Sequence, residues 1–209
     1  MTTIDPQSFG AGPIRIFLGL GGVRVRPRMY IGDTQDGTGL HNMVLAVVNA
    51  ALRERAGRRA ERIAVTLSAD GSCTVSDDGP GLSGEPDGRG GLREIEAVMT
   101  QFVEREIASN AEQAALCVVN ALSHWLRIET RSLGKVYDLE FRHGVPLSPL
   151  GVRDAEGDHR GTDISFRPSA DIFAERIFDV ARLGDRFDAL SRQTGAQISL
   201  IDARGTRDA

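Results

Sequence analysis

Lysine is almost missing from this chain. Lys135 is the single lysine among 25 basic residues, so positive charge rests on arginine. Phosphate sites built on a lysine ammonium are confined to that one position. Formal net charge is −4, which excludes a chain drawn to nucleic acid by its overall charge. The two cysteines, Cys73 and Cys117, lie far apart in apolar surroundings. They read as buried, reduced thiols of a cytoplasmic protein, not as a disulfide scaffold. Four histidines, His41, His124, His143 and His159, lack metal-ligand spacing. No apolar run is long enough to cross a bilayer. The opening Met-Thr-Thr-Ile-Asp-Pro has no basic start followed by an apolar stretch, so no secretory signal is expected.

What is present suits one good-sized core: 209 residues, 41% apolar and 26% charged. No internal repeat or low-complexity tract occurs. Residues 1–13 are polar and rich in Gly and Pro and read as a mobile arm. Leu40, Val44, Val47, Val48 and Ala51 recur at helical spacing, which predicts a helix to about Arg55, preceded by Thr38 and Gly39 and ended by Gly57. Alternation predicts strands over 61–67 and 72–76 around a turn at Asp70-Gly71. A Gly-rich loop runs from Gly79 to Gly91. Helices are predicted over about 92–107 and 110–123. Strands follow over 125–132, 135–142 and 161–166, the first two joined at Leu133-Gly134. A last helix is predicted over about 170–193 and a last strand over 196–201. Without strict βαβ alternation, this order implies an α+β sandwich, with helices on one face of a mostly antiparallel sheet.

Five ordered segments carry a resemblance. Residues 19–34 contain Arg24-Val25-Arg26-Pro27-Arg28-Met29-Tyr30-Ile31-Gly32, and residues 37–44 continue it as Gly-Thr-Gly-Leu-His-Asn-Met-Val. Asp77-Asp78-Gly79-Pro80-Gly81 follows, then Val118-Val119-Asn120-Ala121-Leu122-Ser123. His143-Gly144-Val145-Pro146 and Gly161-Thr162 complete the set. Together they resemble the nucleotide-binding domain of the DNA gyrase B and topoisomerase IV B subunits. The resemblance implies the GHKL-type (Bergerat) two-layer α+β fold over residues 14–203, with a tail over 204–209. It also implies that the family's later transducer and DNA-cleavage domains are absent.

In that family an aspartate accepts a hydrogen bond from the adenine amino group, and Asp77 stands at its position. Read without the family, Asp77-Asp78-Gly79 is a strand-ending turn. Gly81 matches the glycine that lets the backbone approach the base. Thr162 matches a threonine sharing a water and the base with the aspartate. Val47, Val75, Leu82, Met99, Leu116 and Ile164 fall where the family lines the slot. The same six also suit an ordinary core. Pro80 and Ser83 depart from the arginine and proline that gyrases carry there.

The catalytic end is different. The family's Glu-x-x-Asp-Asn-Ala helix reads here Ala46-Val47-Val48-Asn49-Ala50-Ala51. The general-base position is thus Ala46 and the magnesium-ligand position Ala50, while Asn49 replaces an aspartate. Arg53 replaces a further acidic residue, and Glu54 remains. Where the family has a lysine-containing, Gly-rich lid, residues 101–115 hold neither glycine nor lysine. They look continuously helical and place Glu104, Glu106 and Glu112 where a triphosphate would lie.

The resemblance therefore implies a degenerate gyrase B-type module that is hydrolysis-deficient and acts through protein contacts. ATP, ADP or another adenine ligand would bind weakly and without magnesium. Residues 1–34, which in the family reach the other protomer, would contact a gyrase-type subunit or a second copy. Neither DNA nor membrane is an expected partner. The alternative is a divergent ATP-binding protein with slow or partner-dependent hydrolysis in a topoisomerase-related system.

Overall fold

A computed structural model describes residues 20–53, 59–84, 92–101, 115–157 and 160–205. The expectations for the arm at 1–13, for Glu54, for 85–91 and for 102–114 with Glu104, Glu106 and Glu112 lie outside the described residues. Two short helices open the described chain, α1 (Gly21–Val25) and α2 (Arg28–Ile31). Helix α3 (Thr38–Leu52) follows, then strands β1 (Arg62–Leu67) and β2 (Cys73–Asp77). Helices α4 (Glu94–Thr100) and α5 (Leu116–Leu122) precede β3 (Ser123–Ser132), β4 (Lys135–Arg142), β5 (Val145–Pro146), β6 (Gly151–Asp154) and β7 (Gly161–Pro168). Helix α6 (Val180–Thr194) and strand β8 (Gln197–Asp202) end it.

The strands form one eight-stranded sheet in the order β5-β4-β3-β7-β2-β1-β8, with β6 also on β4. Pairings are antiparallel except β1 with β8. Alternation sets the faces. In β1, Ile63, Val65 and Leu67 are buried while Arg62 is exposed, as period-two side chains on a one-sided sheet require. The apolar face is covered by helices, so the α+β sandwich predicted from the sequence is the fold found. Cys73 and Cys117 are both buried and reduced. No described helix is long and apolar enough to cross a membrane.

Helix α3 lies deep in this layer, buried continuously from Gly39 to Val48. It starts at Thr38, whose N–H is accepted by Asp36 at 2.9 Å. His41 ties its first turn to the chain before α6. Its Nδ1 lies 2.5 Å from the Gly37 carbonyl, and its Nε2 accepts the Asp179 N–H at 2.8 Å. Those partners require a proton on Nδ1 and none on Nε2. Burial accordingly lowers the pKa of this imidazole.

Several predicted boundaries need correction. α3 ends at Leu52, before Gly57, because Arg53 is already extended. The helix predicted from 170 starts at Val180, where Asp179 accepts the Arg182 N–H at 3.1 Å as an N-cap. Residues 169–179 instead send Phe173 and Phe178 into the core from turns. Among the described residues, the helices predicted over 92–107 and 110–123 are Glu94–Thr100 and Leu116–Leu122, with Ser123 already in β3. Gln101 (φ −99, ψ 128) and Ala115 (φ −67, ψ 151) are both extended, so an unbroken helix over 101–115 fails at both ends.

Candidate functional site

The end of β2, one face of α3 and the loop after β2 converge on a cavity. Its described walls are Val47, Ala50, Ala51 and Arg53 from the α3 end. Val75 and Asp77 of β2 face them, beside Thr162 and Ile164 of β7; Pro80, Gly81, Leu82 and Leu116 close the rim. Val47, Ala50 and Ala51 are spaced i, i+3, i+4, so the helix presents them on one side. Eight of the ten residues expected from the sequence meet here: Val47, Val75, Asp77, Gly81, Leu82, Leu116, Thr162 and Ile164. Asn49 and Met99 are not among the described walls. Met99 is fully buried in α4, and its carbonyl accepts the Asn120 amide at 2.9 Å.

Asp77 makes a turn and also stands on the cavity wall. Its Oδ1 accepts the Gly79 N–H at 2.8 Å and so makes the turn. The residue also stands on the cavity wall, directly across from Thr162 in the β2–β7 register. Burial pushes its carboxyl up from 3.8 to about 6, and Asp163 and Asp78 add to the rise against the opposing Gly79 N–H. The folded state therefore holds this proton more tightly than the unfolded chain. Its contribution to stability is full below about pH 4 and is lost as pH rises through about 6. Asp77→Asn, which keeps an acceptor for Gly79, is expected to stabilise the protein by about 2–3 kcal/mol at pH 8 and to be neutral at pH 4. Urea denaturation at the two pH values checks this; equal effects at both would refute it.

The rim is held by backbone geometry. Gly81 has φ 75, a left-handed conformation, and a methyl group there would run into the Arg131 carbonyl. The Leu82 N–H is accepted by Thr130 Oγ1 at 2.8 Å. Thr130 is fully buried, and nothing in the sequence singles it out: a threonine within a strand is ordinary. Arg53, Ala51 and Pro80 are further wall residues. Of these, Ala51 is legible from the helical spacing that begins at Leu40.

On the catalytic side the chemistry is plain. Ala50 lines the cavity, and Ala46 behind it is completely enclosed. Methyl groups can neither take a proton from water nor bind a cation. Among the described residues no cluster of His, Cys, Asp and Glu could hold a metal. The cavity is open on one side and offers about 30 Å³, against roughly 300–1,000 Å³ for small-molecule pockets.

No family model matches the chain. The DNA gyrase B subunit of Rickettsia conorii is 37% identical over 209 residues, covering 96% of this chain and 26% of that protein. The DNA gyrase B subunit of Caulobacter vibrioides is 37% identical over 210 residues, covering 91% of this chain and 26% of that protein. The 43K ATPase domain of Thermus thermophilus gyrase B, solved with an aminocoumarin, matches with TM-score 0.77 and 30% identity, over 91% of this chain and 50% of that one. The chain spans about a quarter of the length of the curated relatives it matches. By sequence and by fold, this chain is a homologue of the DNA gyrase B subunit, with the architecture of the gyrase B ATPase domain.

Proposed function

We propose that this chain is a gyrase B-type nucleotide-binding module that keeps the adenine end of the site, does not hydrolyse ATP, and acts through protein contacts. One observation carries the reading. Across one cavity, an acceptor-bearing wall, Asp77 with Thr162, faces a helix wall of methyl groups at Ala50 and Ala51. Asp77 would take the amino group of a flat base, Gly81 would admit its edge, and the apolar walls would cover its faces. No described wall residue other than Arg53 carries a positive charge, so phosphates gain little. Asn49 and Met99 would act from behind the wall. The related gyrase B domain is known in complex with an aminocoumarin, and the same cavity is the place for such a ligand here.

The contact surface is proposed at the start of the described chain. Val25 and Met29 are 53% and 71% exposed, and Val145 and Leu147 are 63% and 57% exposed. Leu20 packs on Gly144, the residue before Val145. Apolar side chains left in water at these positions suit a partner, either a gyrase-type subunit or a second copy.

Thermal shift tests the nucleotide part. Adenosine, ADP and ATP are expected to raise the melting temperature by similar small amounts, with no further rise on adding magnesium. A shift confined to ATP with magnesium would overturn the proposal.

A further inference from the structure

The sheet face turned away from the helices carries a cluster that the nucleotide cavity does not use. In β3, Leu126 and Ile128 are buried toward the helices, so Trp125 and Arg127 stand on the open face. Trp125 pairs with Arg167 of β7. One step beyond the Leu126–Phe141 pair, Arg142 of β4 stands on its other side. Phe141 and Phe166, which precede these two arginines, are buried, so Arg142 and Arg167 lie on the open face as well. Opposed residues on neighbouring strands are about 4.5–5.5 Å apart at Cα. The chain's single tryptophan thus has an arginine on each side and Arg127 next along its own strand. The ladder shifts register between Ser123 and Trp125, the kind of break that re-aims a side chain.

The arginines are largely uncommitted. Arg142 and Arg167 are exposed and make no ion pair or side-chain hydrogen bond among the described residues. Arg127 is 54% exposed and comes no closer than 3.8 Å to Glu129 and Glu140. Glu129 is already shared with Arg131 and Arg153. Asp70, which feels the Arg167 charge, gives its Oδ1 to the N–H and hydroxyl of Ser72. Positive charge therefore collects around Trp125, although the whole chain carries −4. Beyond Arg167 the face continues in hydroxyls, with Ser165 and Thr74 joined at 2.9 Å.

A flat π surface with cations on both sides suits a flat ring with anions on both sides. A nucleotide within a single strand has that form: its base stacks on an aromatic ring while the flanking phosphates meet guanidinium groups. A duplex keeps its base faces inside its own stack. An acidic peptide would meet the arginines and leave the indole without a role. We propose that the open sheet face around Trp125 binds single-stranded nucleic acid, with a base on Trp125 and backbone phosphates on Arg127, Arg142 and Arg167. The proposal is independent of the nucleotide cavity, which lies on the helix-covered side with Val75 and Ile164.

Because Trp125 is the single tryptophan, its fluorescence reports stacking directly. The full chain is titrated with oligothymidylate about ten nucleotides long, within the usual single-strand site size. Quenching is expected with a Kd of about 10⁻⁴ to 10⁻⁶ M near physiological salt, and with a slope of log affinity on log salt of about −2, as three neutralised phosphates give. Arg142→Gln with Arg167→Gln should bring that slope to about −0.7. Read by anisotropy of a labelled strand, Trp125→Leu should weaken binding about tenfold, and Trp125→Phe should keep most of it. The double arginine variant changes exposed side chains alone, so it decides even if Trp125→Leu does not fold. Four results would overturn the proposal. A duplex, or an abasic strand of the same length, binding as tightly as oligothymidylate would leave charge as the whole attraction. Polyglutamate of equal charge displacing the strand at equal concentration would make the face a site for an acidic protein. Loss of binding in Asp77→Asn would put the strand in the nucleotide cavity.

Discussion

Purified chain mixed with ATP and magnesium is expected to release phosphate no faster than a protein-free control. A positioned general base contributes about 10² to 10⁴ in rate, and Ala46 cannot supply one. A metal ligand brings charge neutralisation to the transferring phosphoryl group, and Ala50 cannot hold a cation. These losses act on the same step, so neither is relieved by the other. A continuous phosphate-release assay is sufficient, with Asp77→Asn as the control. Magnesium-dependent turnover that vanishes in Asp77→Asn would belong to this chain and would contradict the expectation.

The second large effect concerns repair. Ala46→Glu with Ala50→Asn returns the base and the metal ligand in sequence, yet the double variant is expected to stay inactive. Ala46 is completely enclosed, so a glutamate there must push α3 from its neighbours and carry a carboxylate into apolar surroundings. Overpacking and charge burial together should cost about 3 kcal/mol or more. The phosphates would also still lack the family's Gly-rich, lysine-containing lid, since residues 101–115 contain no glycine and no lysine. Positioning the attacking water against a fixed phosphorus contributes as much as the base does. Turnover is expected only when a Gly-rich lid is grafted between Thr100 and Val118 as well. Strong activity with the two substitutions alone, in a variant as stable as the parent, would show that the native lid segment closes over phosphate.

How much of the fold is legible in sequence depends on what each element buries. Strands β1, β2 and β7, and most of β3 and β4, alternate because one face packs on helices, and their pattern is readable. Strands β5 and β6 are not, because their residues are nearly all exposed and carry no apolar period. Sequence pattern misplaces the start of α6 because Ile172, Phe173 and Phe178 supply apolar side chains from a non-helical segment. Only the Asp179 cap marks where helix begins. In the site, Asp77, Gly81 and Thr162 are found through the resemblance, and Ala46 and Ala50 through departure from it. Thr130 is invisible to either route. Its role arises where β3, β7 and the loop at Leu82 meet across 48 residues of chain, a juxtaposition that no local pattern records.

The central claim is that adenine recognition survives here without phosphate recognition. Calorimetric titration of the full chain with adenosine and with ATP, each with and without magnesium, measures that separation directly. Each charge-assisted phosphate bond would add about 1.5–3 kcal/mol, so an intact phosphate site would favour ATP by at least about 100-fold. The expected result is weak binding of both ligands, with affinities within about threefold of each other and indifferent to magnesium. A magnesium-dependent preference for ATP of about 100-fold or more would contradict it.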